Sequence, residues 1–391
     1  MYEIIPKGSH LPKIVVFGVG GCGCNTINQL SLTSLSDNVH LIAVNTDTQS
    51  LAAVNCSARL QIGAEATNGL GAGSDPQRGL AAAQESEIEL IEHITTADVI
   101  FVTGGMGGGT GTGAIPFIVS LAERLEKSMV AVVTAPFGFE GQYRNALAKN
   151  GLEQLKEHAS SLIVLPNDKL VKTLDKKISL VNAFFESNRV LQDVLIGLTT
   201  TISQSGFINI DLNDFIAVVN YKGRAAMGVA RQDEAGDIPQ TIEKALKNPL
   251  LEDIELTNAK GAIVSVITTN DIELNQYYEI GEQIQQQLAP NTHLIMGLTL
   301  VEDLDCELEL MIIVTGISSG ALNSTNTVSK TGLNVALNVN SDPNHVVISP
   351  QCSDKKVDDN LLNVHDFLKQ KAGRFIDDSE LDIPAYTRLN Q

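Results

Sequence analysis

Thr103-Gly104-Gly105-Met106-Gly107-Gly108-Gly109-Thr110-Gly111-Thr112-Gly113-Ala114 is the stretch on which the reading of this chain turns. The apolar run Val99 to Val102 before it reads as a buried strand. Ile115, Ile118, Val119, Ala122 and Leu125 after it are spaced to share one face of a helix. Pro116 is read as part of a first helical turn, where the amide hydrogen it lacks would be unpaired anyway. The glycines therefore occupy a strand-to-helix turn. So many of them are costly in backbone entropy unless something must approach the main chain closely. A helix start offers free amides and a partial positive charge of roughly half a unit, which together make a cradle for phosphate. No Lys or Arg stands between Thr103 and Glu123, so this is not a P-loop with its Gly-Lys-Ser/Thr ending. Main-chain amides of Gly105, Gly107, Gly108, Gly109, Gly111 and Gly113, helped by the hydroxyls of Thr110 and Thr112, would hold the phosphates. The plain alternative is a glycine linker, which does not usually stand between a strand and an amphipathic helix.

Two further glycine turns lie upstream. Lys13 to Val19 is a short apolar strand that runs into Gly18-Val19-Gly20-Gly21-Cys22-Gly23-Cys24-Asn25 and then a helix carrying Ile27 and Leu30. This satisfies the G-x-G-x-x-G spacing, so a dinucleotide-binding oxidoreductase is a rival reading. Cys22 and Cys24 lack the neighbouring ligands a metal site needs, and no metal is expected; as thiols beside a ligand they are expected to make the site sensitive to oxidation. Val39 to Asn45 is a second strand, ending in Asn45-Thr46-Asp47. Asp47 suits a ribose hydroxyl or the N-cap of the next helical turn. Asn68-Gly69-Leu70-Gly71-Ala72-Gly73-Ser74-Asp75-Pro76 is a further turn, leading into a helix expected over Gln77 to Ile91. Met129 to Thr134 and Ser161 to Leu165 are two more strands, the latter followed by Asn167. Strands alternating with helices build a parallel sheet covered on both faces, and ligands gather beyond the carboxyl ends of its strands. All these loops fall at those ends.

Composition narrows the function classes. The chain has 391 residues, a net charge of −19 and five scattered cysteines. The acidity argues against general nucleic-acid binding and against unaided docking on anionic lipid. The odd, dispersed cysteines suit a reducing compartment. No apolar run reaches the ~18 residues of a membrane span, and the first residues resemble no targeting signal. A polyanionic ligand in so acidic a chain needs local amide dipoles and a divalent cation to outweigh the mean field.

The second half begins with a long helix, Leu180 to Ser203. Phe184, Leu191, Val194, Leu195, Leu198 and Ile202 give it more than one apolar face, which suggests burial between two domains. Asp211 and Asp214, three apart in Asn209-Ile210-Asp211-Leu212-Asn213-Asp214, share a face if a helix starts there, and they equally fit a helix cap. Ala262 to Ile267, His293 to Leu300 and Cys306 to Val314 read as strands, with a helix around Tyr277 to Leu288, giving a mixed sheet. From Ser318 the pattern dissolves into Ser, Asn, Asp, Lys and Gly, read as a linker. Leu381-Asp382-Ile383-Pro384-Ala385-Tyr386 regains apolar residues, as a docking peptide or a frayed tail would.

Gly107-Gly108-Gly109-Thr110-Gly111-Thr112-Gly113 resembles the signature loop of the tubulin and FtsZ superfamily of GTPases. The resemblance extends to Asn209-Ile210-Asp211-Leu212-Asn213-Asp214, to Lys247-Asn248-Pro249-Leu250-Leu251-Glu252-Asp253-Ile254 and to Val314-Thr315-Gly316. It implies a Rossmann-like parallel-sheet GTPase domain at 13–179 after a short extension at 1–12. A central helix at 180–205 would join this to an α/β domain with a mixed sheet at 206–316, opening with a synergy loop at 206–215. A linker at 317–378 and a partner-binding peptide at 379–391 would follow. It implies GTP and GDP as ligands, with Mg2+ bound mainly through the nucleotide. Contacts would come from Gly20, Gly21, Cys22, Gly23, Cys24, Asn25, Asn45, Asp47, Gly71, Ala72 and Gly73, from the signature loop, and from Pro136, Glu140, Arg144, Asn167, Phe184 and Asn188. Glu140 and Arg144 also fit a plain i,i+4 surface pair, and Asn188 a satisfied polar group in a core helix. The resemblance further implies that Asp211, Asp214 and Asn209 complete hydrolysis in the site of the next subunit of a head-to-tail filament. Filaments would act in septation at a cytoplasmic mid-cell ring, held through membrane adaptors on the tail peptide, with no direct membrane insertion. Cys22, Cys24, Asn68 and Ala135 depart from the family's usual Gly, Gly, Arg and basic residue. A non-hydrolysing or plasmid-segregating paralogue is the remaining alternative.

Overall fold

The computed structural model describes residues 11–317 apart from 34, 57, 172–176, 204–205, 233–236, 249, 252–253, 270–271, 302–303 and 305. The linker expected at 317–378, the tail peptide at 379–391 and most of the extension at 1–12 lie outside these residues, save that Ile317 closes the last strand.

Strands β1 (Ile14–Val19), β2 (Val39–Asn45), β3 (Ala58–Gln61), β4 (Val99–Gly105), β5 (Met129–Ala135) and β6 (Ser161–Pro166) are all parallel to their neighbours. β7 (Arg224–Gln232), β8 (Gly261–Thr268), β9 (His293–Leu300) and β10 (Leu308–Ile317) complete one sheet in the order β3-β2-β1-β4-β5-β6-β7-β10-β8-β9. β10 runs antiparallel to β7 and β8, which makes the second half mixed. The two halves share an edge: β6 and β7 pair in parallel at Leu162 with Arg224 and Ile163 with Ala225. β3 and β7 had no sequence expectation. β7 contains Arg224, Gly228, Arg231 and Gln232 among alanines, so its alternation is weak.

Helices α1 (Gly20–Leu30), α2 (Thr48–Ala52) and α3 (Ala64–Thr67) follow the first three strands. Next come α4 (Pro76–Glu85), α5 (Glu87–Thr95), α6 (Thr110–Arg124), α7 (Gln142–His158) and α8 (Asn167–Val171). The central helix α9 (Leu180–Ser203) has the expected bounds, and α10 (Leu212–Val219), α11 (Ile238–Leu246) and α12 (Leu274–Gln287) follow. Two expectations are corrected. The helix expected over Gln77 to Ile91 is two, broken at Ser86, whose hydroxyl accepts the Gly63 amide at 3.2 Å. Local side-chain bonding of this kind competes with the helix ladder. Pro116 lies inside α6, which begins six residues earlier at Thr110, not in a first turn.

One face of the sheet carries α1, α9 and α10. Leu191, Val194, Leu195 and Leu198 of α9 are buried against Val130, Ile163, Met227, Ile263 and Met311, which come from both halves. The many-sided apolar pattern of α9 is thereby explained: the helix spans the junction. The other face of the first half is filled by Val15, Phe17, Ile115, Ile118 and Leu155. The second half has its own layer under α11 and α12. No helix among the described residues is long and apolar enough to cross a membrane.

Candidate nucleotide site

A cavity of about 630 Å³ opens at the carboxyl ends of β1, β2, β4 and β5. Its floor is the first turn of α1, with Gly20, Gly21, Cys22 and Asn25. Its wall is the signature loop, with Gly105, Gly108, Gly109, Thr110 and Gly111. Gly71 and Gly73 close one side, and Asn45 and Asp47 the next. Pro136, Glu140, Arg144, Asn167, Phe184 and Asn188 close the last. Three glycine turns that stand far apart in sequence thus meet because parallel strands deliver them to one edge.

Several of the expected residues stand behind this lining. Gly23, Cys24, Ala72, Gly107, Thr112 and Gly113 do not border the cavity. Cys24 is buried, with its sulfur 3.9 Å from the Gly18 carbonyl oxygen and 3.8 Å from that of Val44. Thr112 uses its hydroxyl to accept the Gly107 amide at 2.8 Å, so it braces the loop from inside. Gly107 has φ +99°, a left-handed backbone that favours glycine. A Cβ on Gly113 would lie 2.0 Å from the Pro76 carbonyl oxygen, so this glycine lets α4 and α6 touch. Thr110 does face the cavity, and its hydroxyl shares a 2.7 Å hydrogen bond with that of Thr46.

The lining also includes Val19, Thr46, Ser50, Leu70, Ser74, Met106, Thr134 and Ser187. Thr46, Ser74 and Ser187 are chain neighbours of residues singled out from the sequence. Met106 lies between Gly105 and Gly107 of the signature stretch, and Thr134, two residues before Pro136, is set beside Gly105 by the pairing of β4 with β5. Asn68 is exposed in the left-handed region at φ 53°, and neither it nor Ala135 borders the cavity.

The carboxylates of the lining are engaged. Asp47 caps α2, accepting from the amides of Gln49 at 2.9 Å and Ser50 at 3.2 Å and from the Ser50 hydroxyl at 2.9 Å. The Ser50 bonds, with that of Gln49, hold its carboxyl below the ordinary value. Glu140 accepts from Arg144 at 2.5 Å and from the Phe137 amide at 2.9 Å. The cap reading of Asp47 and the pair reading of Glu140 and Arg144 therefore coexist with a place in the site. Desolvation pushes the Cys22 thiol up to about 11 and the Cys24 thiol up to about 12. Both keep their protons near neutrality, where the thiolate is the reactive form. An aromatic cluster flanks the entrance: Phe137 stacks on Phe139 with centroids 4.9 Å apart, and Phe184 meets Phe137 edge-on at 5.0 Å.

Asn209, Asp211 and Asp214 lie elsewhere. They are exposed at and before the start of α10, where Asp211 caps the helix, accepting the Asn213 amide at 3.4 Å. The loop is fixed by an antiparallel bridge between Ile208 and Leu298. Asn188 borders the cavity near the start of α9, and the loop follows the far end of that helix, a stretch from Asn188 to Ser203 that is ~22 Å long at about 1.5 Å per residue. Among the described residues no three His, Cys, Asp or Glu side chains are grouped to hold a metal ion. The cavity wall of amides and hydroxyls suits phosphate oxygens; a divalent ion there would rest on a ligand's own oxygens.

Residues 13–175 match the model of the tubulin/FtsZ family, GTPase domain, and residues 223–318 that of the FtsZ family, C-terminal domain. The cell division protein FtsZ of Azotobacter vinelandii is 37% identical over 321 residues, covering 82% of this chain and 81% of the relative. That of Buchnera aphidicola subsp. Schizaphis graminum is 35% identical over 389 residues, 99% of each. An empty FtsZ dimer of M. jannaschii superposes with a TM-score of 0.75 at 36% identity, covering 79% of this chain and 89% of that one.

Proposed function

The chain belongs to the FtsZ family of tubulin-like GTPases that act in cell division, and from that membership we propose how its residues divide the work. GTP and GDP bind in the cavity at the strand ends. The phosphates lie against the amides of Gly108 to Gly111 and the start of α1, and the base lies near Phe184 and Asn188. Mg2+ arrives on the nucleotide's phosphates and neutralises part of their charge. Subunits stack head to tail, so that Asp211 and Asp214 of one copy, with Asn209, reach the γ-phosphate held by the next. There the two carboxylates orient the attacking water and help polarise it.

The observation that carries this reading is a mismatch. The carboxylates that border the cavity are already committed to Ser50, Gln49 and Arg144, whereas an exposed pair stands beyond the other end of α9. A second copy is the economical way to bring the two together. Phe207 and Ile208 are exposed in the carboxylate loop, Leu70 is exposed on the cavity lining, and Phe139 and Tyr143 are exposed next to Glu140 and Arg144 of that lining. Each is an apolar patch suited to the other. The GTP-binding part is 13–179, the central helix 180–205 and the C-terminal part 206–316. The linker at 317–378 tethers a peptide at 379–391 to membrane adaptors at a cytoplasmic mid-cell ring. Family membership sets the oxidoreductase alternative aside.

Mixing tests the trans arrangement. Asp211→Ala protein and a Gly108→Trp variant blocked at the cradle are each expected to be nearly inactive alone. Mixed, they should regain GTP hydrolysis at junctions where the intact cradle of the first meets the intact carboxylates of the second. No gain on mixing, with both proteins folded, would overturn the trans assignment.

A further inference from the structure

From Phe207 to Asp211 one side chain is buried. Phe207, Ile208, Asn209 and Asp211 are exposed, whereas Ile210 is 5% exposed and joins the core under α9. Leu298 of β9 grips the stretch through main chain alone. The Ile208 amide donates to the Leu298 carbonyl at 3.2 Å, and the Leu298 amide donates to the Ile208 carbonyl at 3.0 Å. Gly206 passes so close that an added Cβ would stand 2.4 Å from the Leu298 carbonyl oxygen. The seat of Ile210 is Gly297, the residue before Leu298. A Cβ there would lie 2.7 Å from Ile210 Cγ1 and 2.9 Å from Cδ1, so Ile210 rests directly on the bare β9 main chain. The same Cβ would stand 3.3 Å from the Ile208 carbonyl oxygen, which the bridge to Leu298 already holds. Extended backbone sends successive side chains to opposite sides, and Asp211 is extended at φ −63° and ψ 145°. With Ile210 turned inward, Asn209 and Asp211 on either side of it are turned outward.

We propose that Ile210 is a positioning residue for GTP hydrolysis: seated on Gly297, it fixes the outward direction of Asn209 and Asp211 before a second copy arrives, so that the loop meets the neighbour's nucleotide already aligned. The inference rests on the trans reading above and goes further in naming what aims the loop. Ile210 itself touches no ligand. Its branched Cβ leaves it little freedom at χ1, so a push from Gly297 passes to the loop backbone and is not absorbed by the side chain. Asp214 is aimed separately through α10, where the next residue, Phe215, is buried edge-on to Phe101 of β4 with centroids 6.4 Å apart. Alignment of this kind matters because a displacement of about 1 Å in a reacting group can cost about a hundredfold in rate. The cradle is built by the first half of the chain, so a change at Gly297 or Ile210 reaches the carboxylate loop and leaves nucleotide binding alone.

Pairwise mixing tests this, with GTP turnover read at fixed total protein and co-assembly confirmed by sedimentation. Gly297→Ala and Ile210→Ala proteins are each expected to bind GTP as tightly as the unaltered protein when dilute, and alone to lose about ten- to a hundredfold in turnover. Each should be rescued by the Gly108→Trp protein, which supplies intact loops, and not by the Asp211→Ala protein, which supplies only intact cradles. Ile210→Val, which keeps a branched side chain on Gly297, should recover most of what Ile210→Ala loses. Rescue by the Asp211→Ala protein would overturn the proposal, because the altered loop would still be serving its neighbour. So would unchanged turnover in Ile210→Ala, or equal failure in both mixtures, the result of a merely structural role. If Gly297→Ala does not fold, Ile210→Ala, which adds no atom to the core, carries the same comparison. No rescue between the Asp211→Ala and Gly108→Trp proteins themselves would instead overturn the trans reading on which the proposal rests.

Discussion

At Gly113 an added methyl group would meet the Pro76 carbonyl oxygen at 2.0 Å and the Leu80 amide nitrogen at 2.6 Å, both backbone atoms of α4 that cannot rotate away. Gly113→Ala is therefore expected to force α4 and α6 apart. Overpacking of this kind costs about 1–3 kcal/mol, and a thermal melt should fall by several degrees, with nucleotide affinity weakened because the loop rides on α6. Asp47 allows a prediction with a sign. Its folded carboxyl titrates below the ordinary 3.8 because Ser50 and Gln49 donate to the ionised form. Its contribution is thus present above pH 3.8 and is lost as the pH falls through the lower folded value. Asp47→Ala should cost about 1 kcal/mol at pH 7 through the lost cap, and denaturant melts should show the difference closing toward pH 2. Both residues were visible in the sequence as chemistry-bearing positions. What was not visible is that Gly113 serves packing and that Asp47 is already bonded, because each depends on where a second segment lies.

The central helix shows what an element adds to its residues. Its bounds and its many-sided apolar pattern were legible, since a helix wrapped by both halves must be apolar nearly all round. Its polar tie was not. Arg231 on β7 donates through Nε to Glu309 of β10 at 2.7 Å and lies 3.9 Å from Asp193 of α9, bridging helix and sheet. Burial pushes the Asp193 carboxyl above its ordinary range against the pull of Arg231. A raised carboxyl destabilises the fold in its ionised form, and that penalty is relieved as the pH falls through the folded value. Asp193→Asn is therefore expected to be neutral or stabilising at pH 7, with its advantage shrinking in acid. Arg231→Ala should lose about 1 kcal/mol, a modest figure because the guanidinium is 43% exposed. Urea melts of the two variants across pH 4 to 8 check both directions. The split of the expected Gln77 to Ile91 helix belongs to the same scale: its break is set by the Gly63 amide bonding Ser86, a contact between segments that no local propensity encodes.

For the molecule as a whole, the sheet runs unbroken from β3 to β9, so the cradle and the carboxylate loop are held on one continuous frame. Phe207, 81% exposed in that loop, contributes little to the fold and is expected to seat a second copy. The change Phe207→Ser should leave the melting curve within a degree or two. It should also raise severalfold the protein concentration at which GTP hydrolysis per subunit begins to climb, read by a turnover series alongside light scattering. A turnover rate independent of concentration in the unaltered protein would remove the need for a partner. Sequence alone determined the glycine turns, the strand-helix alternation, the long buried helix and the family resemblance, because each is written in local periodicity and in residue types that few other environments require. Only the tertiary structure decided which glycines face the cavity and which pack helices, that Thr112 braces the loop, that the two halves join at β6 and β7, and that Cys22 reaches Asn188, 166 positions later in the chain. Such contacts join segments distant in sequence, and the pairing of strands, not any property of either segment, brings them within bonding distance.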